Sequence, residues 1–128
     1  MALVVIFDNI ESMIKTRRVQ WIRAARKEFE AFPQAAQIEL ARALTVVAES
    51  GHPDITKPLK GFGSGVLELA LRFHNDAYRV VYALRLRGGD AVWVVHAFQK
   101  KSKIRIKTPK AEIDLIHERL KRLKEMLR

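Results

Sequence analysis

Apolar positions follow two periods along the chain, first three to four residues and then two, and the change predicts where helices give way to strands. From Ile22 the positions Ile22, Ala25, Phe29 and Phe32 recur at spacings that suit one face of a short helix. Pro33 ends that helix and can open the next, because a proline is tolerated in a first turn but not inside one. Gln34 to Ser50 then carries Leu40, Leu44 and Val47 on one stripe, with Gly51 where a helix-terminating glycine belongs. The pattern is a helical hairpin.

His52 to Ser64 contains Pro53, Pro58, Gly61 and Gly63 and reads as a loop. Beyond it Leu67, Leu69, Leu71 and Phe73 alternate with Glu68, Ala70 and Arg72. After a turn at His74-Asn75-Asp76, Tyr78, Val80, Tyr82, Leu84 and Leu86 alternate with Arg79, Val81, Ala83, Arg85 and Arg87. Period two predicts antiparallel strands with one buried face, where Tyr78 and Tyr82 serve as packing residues, and one cationic face. Gly88-Gly89-Asp90 predicts a hairpin turn into a third strand, Ala91 to Phe98, apolar on both faces except at His96.

Thr108 is suited to cap a last helix, with Pro109 at its first position. Ile113, Ile116, Leu120, Leu123 and Leu127 form its apolar stripe, and Arg119, Lys121, Arg122 and Lys124 are assigned to the opposite face. Two helices, three meandering strands and a closing basic helix predict a small α+β domain spanning residues 1–128, with its helices on one sheet face. Residues 1–18 form an N-terminal extension with no readable pattern.

Composition narrows the chemistry. There is no cysteine, which excludes disulfides, thiolate catalysis and Cys-based zinc sites and favours a cytoplasmic location. The patterns GxGxxG, Walker loop and HExxH are absent, and no cofactor or metal is expected. The apolar run Leu3 to Phe7 is too short for a membrane span and lacks the basic leader of a signal peptide. Charge is the most informative bulk property: 24 Lys plus Arg stand against 14 Asp plus Glu, for a net +10. Of that excess, +7 lies between Gln99 and Arg128. A localised cationic field concentrates polyanions, so nucleic acid or an acidic protein is the expected partner.

Ser64 and Ser102 lack the setting of an activated nucleophile, and no carboxylate pair has glycosidase spacing. What remains is a set of cations, Arg72, Arg79 and Arg85 on the strands, followed by His96, Gln99, Lys100, Lys101 and Lys103. Such a group can hold a phosphodiester and stabilise the added charge of its transition state. RNA supplies its own nucleophile in the 2′-hydroxyl, so cleavage needs only a proton acceptor, a proton donor and phosphate-binding cations. Arg79 suits phosphate, His96 is the side chain near the cluster with an unperturbed pKa near neutrality, and Lys100 and Lys101 are close enough in sequence to depress each other. Lys57 and Lys60 in the Pro/Gly loop, with Arg72, Arg85, Lys103, Arg119, Lys121, Arg122 and Lys124, are candidate RNA contacts. Each has an ordinary alternative: a buried structural histidine, a solvated sheet face, a solvated helix.

The segments Lys57-Pro-Leu-Lys-Gly-Phe62, Gly65-Val-Leu-Glu-Leu69, Tyr78-Arg-Val-Val-Tyr82, His96-Ala-Phe-Gln-Lys-Lys-Ser102 and Thr108-Pro-Lys-Ala-Glu-Ile-Asp114, in this order, resemble the phage-derived, HigB-like branch of the RelE/ParE toxin superfamily. The resemblance covers about Gln20 to Leu127. It implies a compact RelE-like fold and a toxin paired with a helix-turn-helix, HigA-like antitoxin. It also implies ribosome-dependent cleavage of mRNA; the alternative within the superfamily is a non-enzymatic, ParE-type inhibitor of DNA gyrase. Arg79 matches the strand arginine of RelE-type sites and Lys101 falls near their later basic residue, with Lys100 and His96 adjacent. The strand lysines of RelE fall at Glu68 and Ala70 here, and its C-terminal tyrosine has no counterpart.

Overall fold

The computed structural model describes residues 16–100 and 108–127. Its elements run β1 (Val19–Trp21), α1 (Arg23–Glu30), α2 (Gln34–Ala48), β2 (Thr56–Pro58), β3 (Val66–Phe73), β4 (Asp76–Ala83), a 3-10 turn (Leu86–Gly88), β5 (Val92–Lys100) and α3 (Lys110–Met126). The five strands form one sheet in the order β1-β5-β4-β3-β2, with β1 parallel to β5 and every other pair antiparallel. The α+β class, helical hairpin, antiparallel centre and closing helix are as expected. The sheet gains two strands that the alternation missed, because three residues are too few to display a period.

The helices cover both faces of the sheet, correcting the expected one-sided packing. On one face Ala25, Phe29, Phe32, Leu40, Leu44 and Val47 of the hairpin pack with Leu69, Tyr78, Val80, Tyr82 and Val94. On the other, Ile116, Leu120 and Leu123 of α3 close over Val81, Ala83 and Val95. That second face is the one read as cationic. Val81 and Ala83 lie on it beside Arg79 and are fully buried, so an apolar patch large enough to dock a helix sits within the arginine-bearing register.

Several local expectations are corrected. Strand β4 ends at Ala83, because Arg85 and Arg87 take left-handed φ of 55° and 54°, so residues 84–91 form a longer connection than a hairpin turn at Gly88-Gly89-Asp90. His74 and Asn75 make the tight β3–β4 turn, both at positive φ as a two-residue hairpin requires. At the end of α2 the left-handed residue is Ser50 (φ 68°), with Ser50 N–H donating to Val47 O and Gly51 N–H to Val46 O. Gly51 is needed for space instead: a Cβ there would lie 2.6 Å from Val46 Cγ1. Pro109, not Thr108, is the N-cap of α3, and its carbonyl accepts from Glu112 and Ile113 N–H.

Candidate functional site

Strand register determines what meets under α3. Lys57 stands opposite Glu68, Glu68 opposite Val81, and Val81 opposite His96, while the next row joins Ala70, Arg79 and Phe98. One face therefore carries Lys57, Glu68, Arg79 and His96, and it builds two polar clusters.

The first lies between β3, β4 and the residue before α3's N-cap. Arg79 Nη1 donates to Glu68 Oε1 at 3.1 Å and to Thr108 Oγ1 at 3.2 Å, and the Thr108 hydroxyl donates to Glu68 Oε2 at 3.0 Å. This closed ring explains why Thr108 does not cap α3. Glu68 and Arg79 are only 3% and 5% exposed. They lie at the floor of a cleft of about 480 Å³ whose walls include Lys57, Lys60, Thr108 and Ile113. A guanidinium held by a carboxylate, with lysines on the rim, can receive a phosphodiester: the carboxylate orients the fork and the cations offset the phosphate's charge.

The second cluster depends on a β-bulge. Tyr82 pairs with Val94 and Val81 with His96, so Val95 has no opposite residue and the parity of β5 shifts there. Val95 and His96 both serve the α3 side as a result. His96 Nε2 lies 2.6 Å from Glu112 Oε1, and its Nδ1 lies 2.7 Å from Arg119 Nη1 and 3.3 Å from Glu28 Oε1. Arg119 makes a two-pronged contact with Glu28 of α1, 2.8 Å on each side, and also donates to Val95 O. Glu28 Oε1 accepts from Ala97 N–H. Burial pushes the Glu28 carboxyl up, but contacts from His96, Arg119 and the Ala97 amide, with the His96 charge, outweigh it and hold the group at about 2.

The sequence candidates thus separate. Arg79, Lys57 and Lys60 converge on the cleft. Arg72 and Lys100 flank Ala77 on the same sheet face, next along from Arg79. His96 is 1% exposed and belongs to the second cluster. Arg119 belongs there too, correcting its assignment to the outer face: it follows Ile116 by three residues and precedes Leu123 by four, so it shares their side of the helix. Arg85 leaves the strand and lines a separate hollow of about 270 Å³ with Arg17 and Asp90. Lys121, Arg122 and Lys124 are exposed on α3, Arg122 paired with Glu118 at 2.8 Å. Lys101 and Lys103 lie outside the described residues.

The sequence reading missed Glu68, Thr108, Glu28 and Glu112. Glu68 was detectable, because a carboxylate and an arginine on one face of adjacent antiparallel strands are diagonal neighbours. Among the described residues no group of three or more His, Asp and Glu is arranged to hold a metal ion, and no helix is long and apolar enough to cross a membrane.

Residues 27–121 match the family model described as Phage derived protein Gp49-like (DUF891). The chain belongs to that Gp49-like family. The matched span runs from α1 into α3 and so contains both polar clusters. No curated protein sequence matches the chain. Among solved structures, a double-arginine variant of E. coli toxin RelE in the free state is similar at 19% identity and TM-score 0.58, covering 84% of this chain and 97% of that one. The isolated E. coli RelE toxin in another crystal form gives 21% identity, TM-score 0.54 and coverage of 84% and 98%. The RelBE2 toxin–antitoxin complex from Mycobacterium tuberculosis gives 14% identity, TM-score 0.50 and coverage of 66% and 92%. This Gp49-like chain has the RelE fold.

Proposed function

We propose that the protein is the toxin of a type II toxin–antitoxin pair, of the HigB-like branch, and that it cleaves mRNA on cytoplasmic ribosomes without a metal or other cofactor. The observation that carries the reading is the Glu68–Arg79–Thr108 ring at the floor of a lysine-rimmed cleft. Support comes from the RelE fold and from the net +10 charge, which suits an RNA-rich target.

In this reading the 2′-hydroxyl attacks the adjacent phosphorus, giving a 2′,3′-cyclic phosphate and releasing the 5′-oxygen. Arg79 stabilises the phosphoryl oxygens as their charge grows. Glu68 accepts the 2′-hydroxyl proton, and Lys100 or Lys101 returns one to the leaving oxygen. Lys57 and Lys60 hold flanking phosphates. His96 acts as a pin for α3: it is almost fully buried and joins the Glu28–Arg119 cluster, apart from the residues that line the cleft. A helix-turn-helix, HigA-like antitoxin silences the protein by covering this cationic side, and co-expression of the two should restore growth and yield a complex.

Primer extension on transcripts from expressing cells tests the reading. Cleavage that disappears when translation is blocked is the expected result. Intact mRNA with DNA damage would overturn it in favour of gyrase inhibition.

A further inference from the structure

The loop that supplies Lys60 to the cleft also supplies Phe62 to a second hollow of about 440 Å³ on its other side, lined by Gly61, Phe62, His117, Leu120, Lys121 and Lys124. The Phe62 and His117 rings stack with centroids 4.0 Å apart and planes 24° from parallel, and His117 is exposed. Gly61 and Gly63 hold left-handed φ of 91° and 80°, so Phe62 is set between two residues whose backbone conformation side-chain-bearing residues adopt at a cost. The stack is thus presented by a preformed loop. Glu118, the acidic residue next to His117, is paired with Arg122.

We infer that this hollow is a nucleotide subsite: a base of the single-stranded RNA continues the Phe62–His117 stack while Lys121 and Lys124 hold the adjoining phosphates. The inference rests on RNA being the substrate. Ile113 lines the cleft and His117, Lys121 and Lys124 line the hollow, so one edge of α3 borders both. At 1.5 Å rise per residue that edge is about 16 Å long, room for a short run of nucleotides beyond the scissile bond. Aromatic stacking combined with lysines that follow the backbone is how proteins hold single strands without reading their sequence.

The test is fluorescence anisotropy with a labelled, uncleavable 2′-O-methyl RNA strand and the full chain, which needs neither ribosome nor chemistry. His117→Ala should weaken binding about tenfold, with His117→Phe restoring it. Phe62→Leu, which keeps an apolar side chain against α3, should match His117→Ala. An abasic strand of equal length should bind the wild type as weakly as the intact strand binds His117→Ala. Lys121→Gln with Lys124→Gln should instead reduce the slope of log K against log salt by about 1.4. Wild-type affinity in His117→Ala, or equal affinity for the abasic strand, would overturn the subsite. Unchanged RNA binding in variants that lose capture of an acidic antitoxin would also overturn it, assigning the hollow to a protein. Base-dependent binding by a protein that cleaves nothing in cells would leave the subsite standing and remove only the cleavage reading.

Discussion

The two polar clusters beneath α3 use the same ingredients in different surroundings. In both, an arginine meets a glutamate from another element. The Glu28–Arg119–His96–Glu112 cluster ties α1, β5 and α3 together, and its contacts run among those elements and the β5 backbone. The Glu68–Arg79–Thr108 cluster is the more deeply buried by side-chain exposure, yet it lies at the floor of a cleft with lysines along its rim. Burial of charge alone therefore does not mark a site. The distinguishing features are the open volume beside the pair and the added positive charge around it.

The largest separation should come from the cleft arginine. Arg79→Ala should lower mRNA cleavage by on the order of a hundredfold and relieve toxicity. It should also cost about 3–5 kcal/mol of stability by stranding Glu68. Glu68→Gln combined with Arg79→Met should recover most of that stability in urea unfolding while cleavage stays lost. A double variant that regains activity would erase the distinction between the clusters.

Glu28 tests the closed cluster through pH. Its folded-state pKa of about 2 lies below the ordinary glutamate value of 4.5, so its stabilisation is full above 4.5 and fades as pH falls through 2. Glu28 is partly exposed, so solvent screening reduces the corresponding stabilisation to about 1–2 kcal/mol. Glu28→Gln should remove a contribution of that order at pH 7 and flatten the acid limb of the stability profile. Cleavage by the folded variant should continue.

Thr108→Val removes one hydroxyl from the ring at the cleft floor. It should cost about 1 kcal/mol in urea unfolding and slow cleavage, through a guanidinium and carboxylate that are less firmly oriented. The exposed Glu118–Arg122 pair gives the lower bound: Arg122→Gln should shift stability by less than about 0.5 kcal/mol. A loss as large as that of Glu28→Gln would show that solvated pairs on α3 matter as much as buried ones.

Much of the fold could be read from local pattern. The helical stripes of α1, α2 and α3 and the alternation through β3 and β4 each lie within one stretch of chain. What escaped the reading depends on distant partners. β1 exists because Val19 to Trp21 pair in parallel with Val92 to Val94, a relation that local alternation does not encode. The side chosen by α3 rests on Val81, Ala83 and Val95, an apolar patch that shares its strand face with Arg79 and so has no signature of its own in the alternation. The cleft is half legible: Arg79, Lys57 and Lys60 stand out as cations, whereas the part played by Glu68 follows only from the β3–β4 register that sets it diagonal to Arg79. For the second cluster, the bulge at Val95 defeats simple alternation, and Glu28 lies 91 residues from Arg119.

The ion pair between Glu28 and Arg119 has a consequence for how molecules of this protein coexist at high concentration. Strand β1 accompanies β5 only as far as Val94, and among the described residues no strand pairs with that flank of β5 beyond it. Bare strand flanks invite strands from other molecules, and that is how sheets grow into aggregates. Here the Glu28 carboxylate occupies the Ala97 amide and the Arg119 guanidinium occupies the Val95 carbonyl, so an incoming strand finds those two positions taken by side chains. Arg119 comes late in the chain. A newly made molecule therefore leaves the Val95 carbonyl without this guard until its last helix has docked, and that interval is when self-association is most favoured.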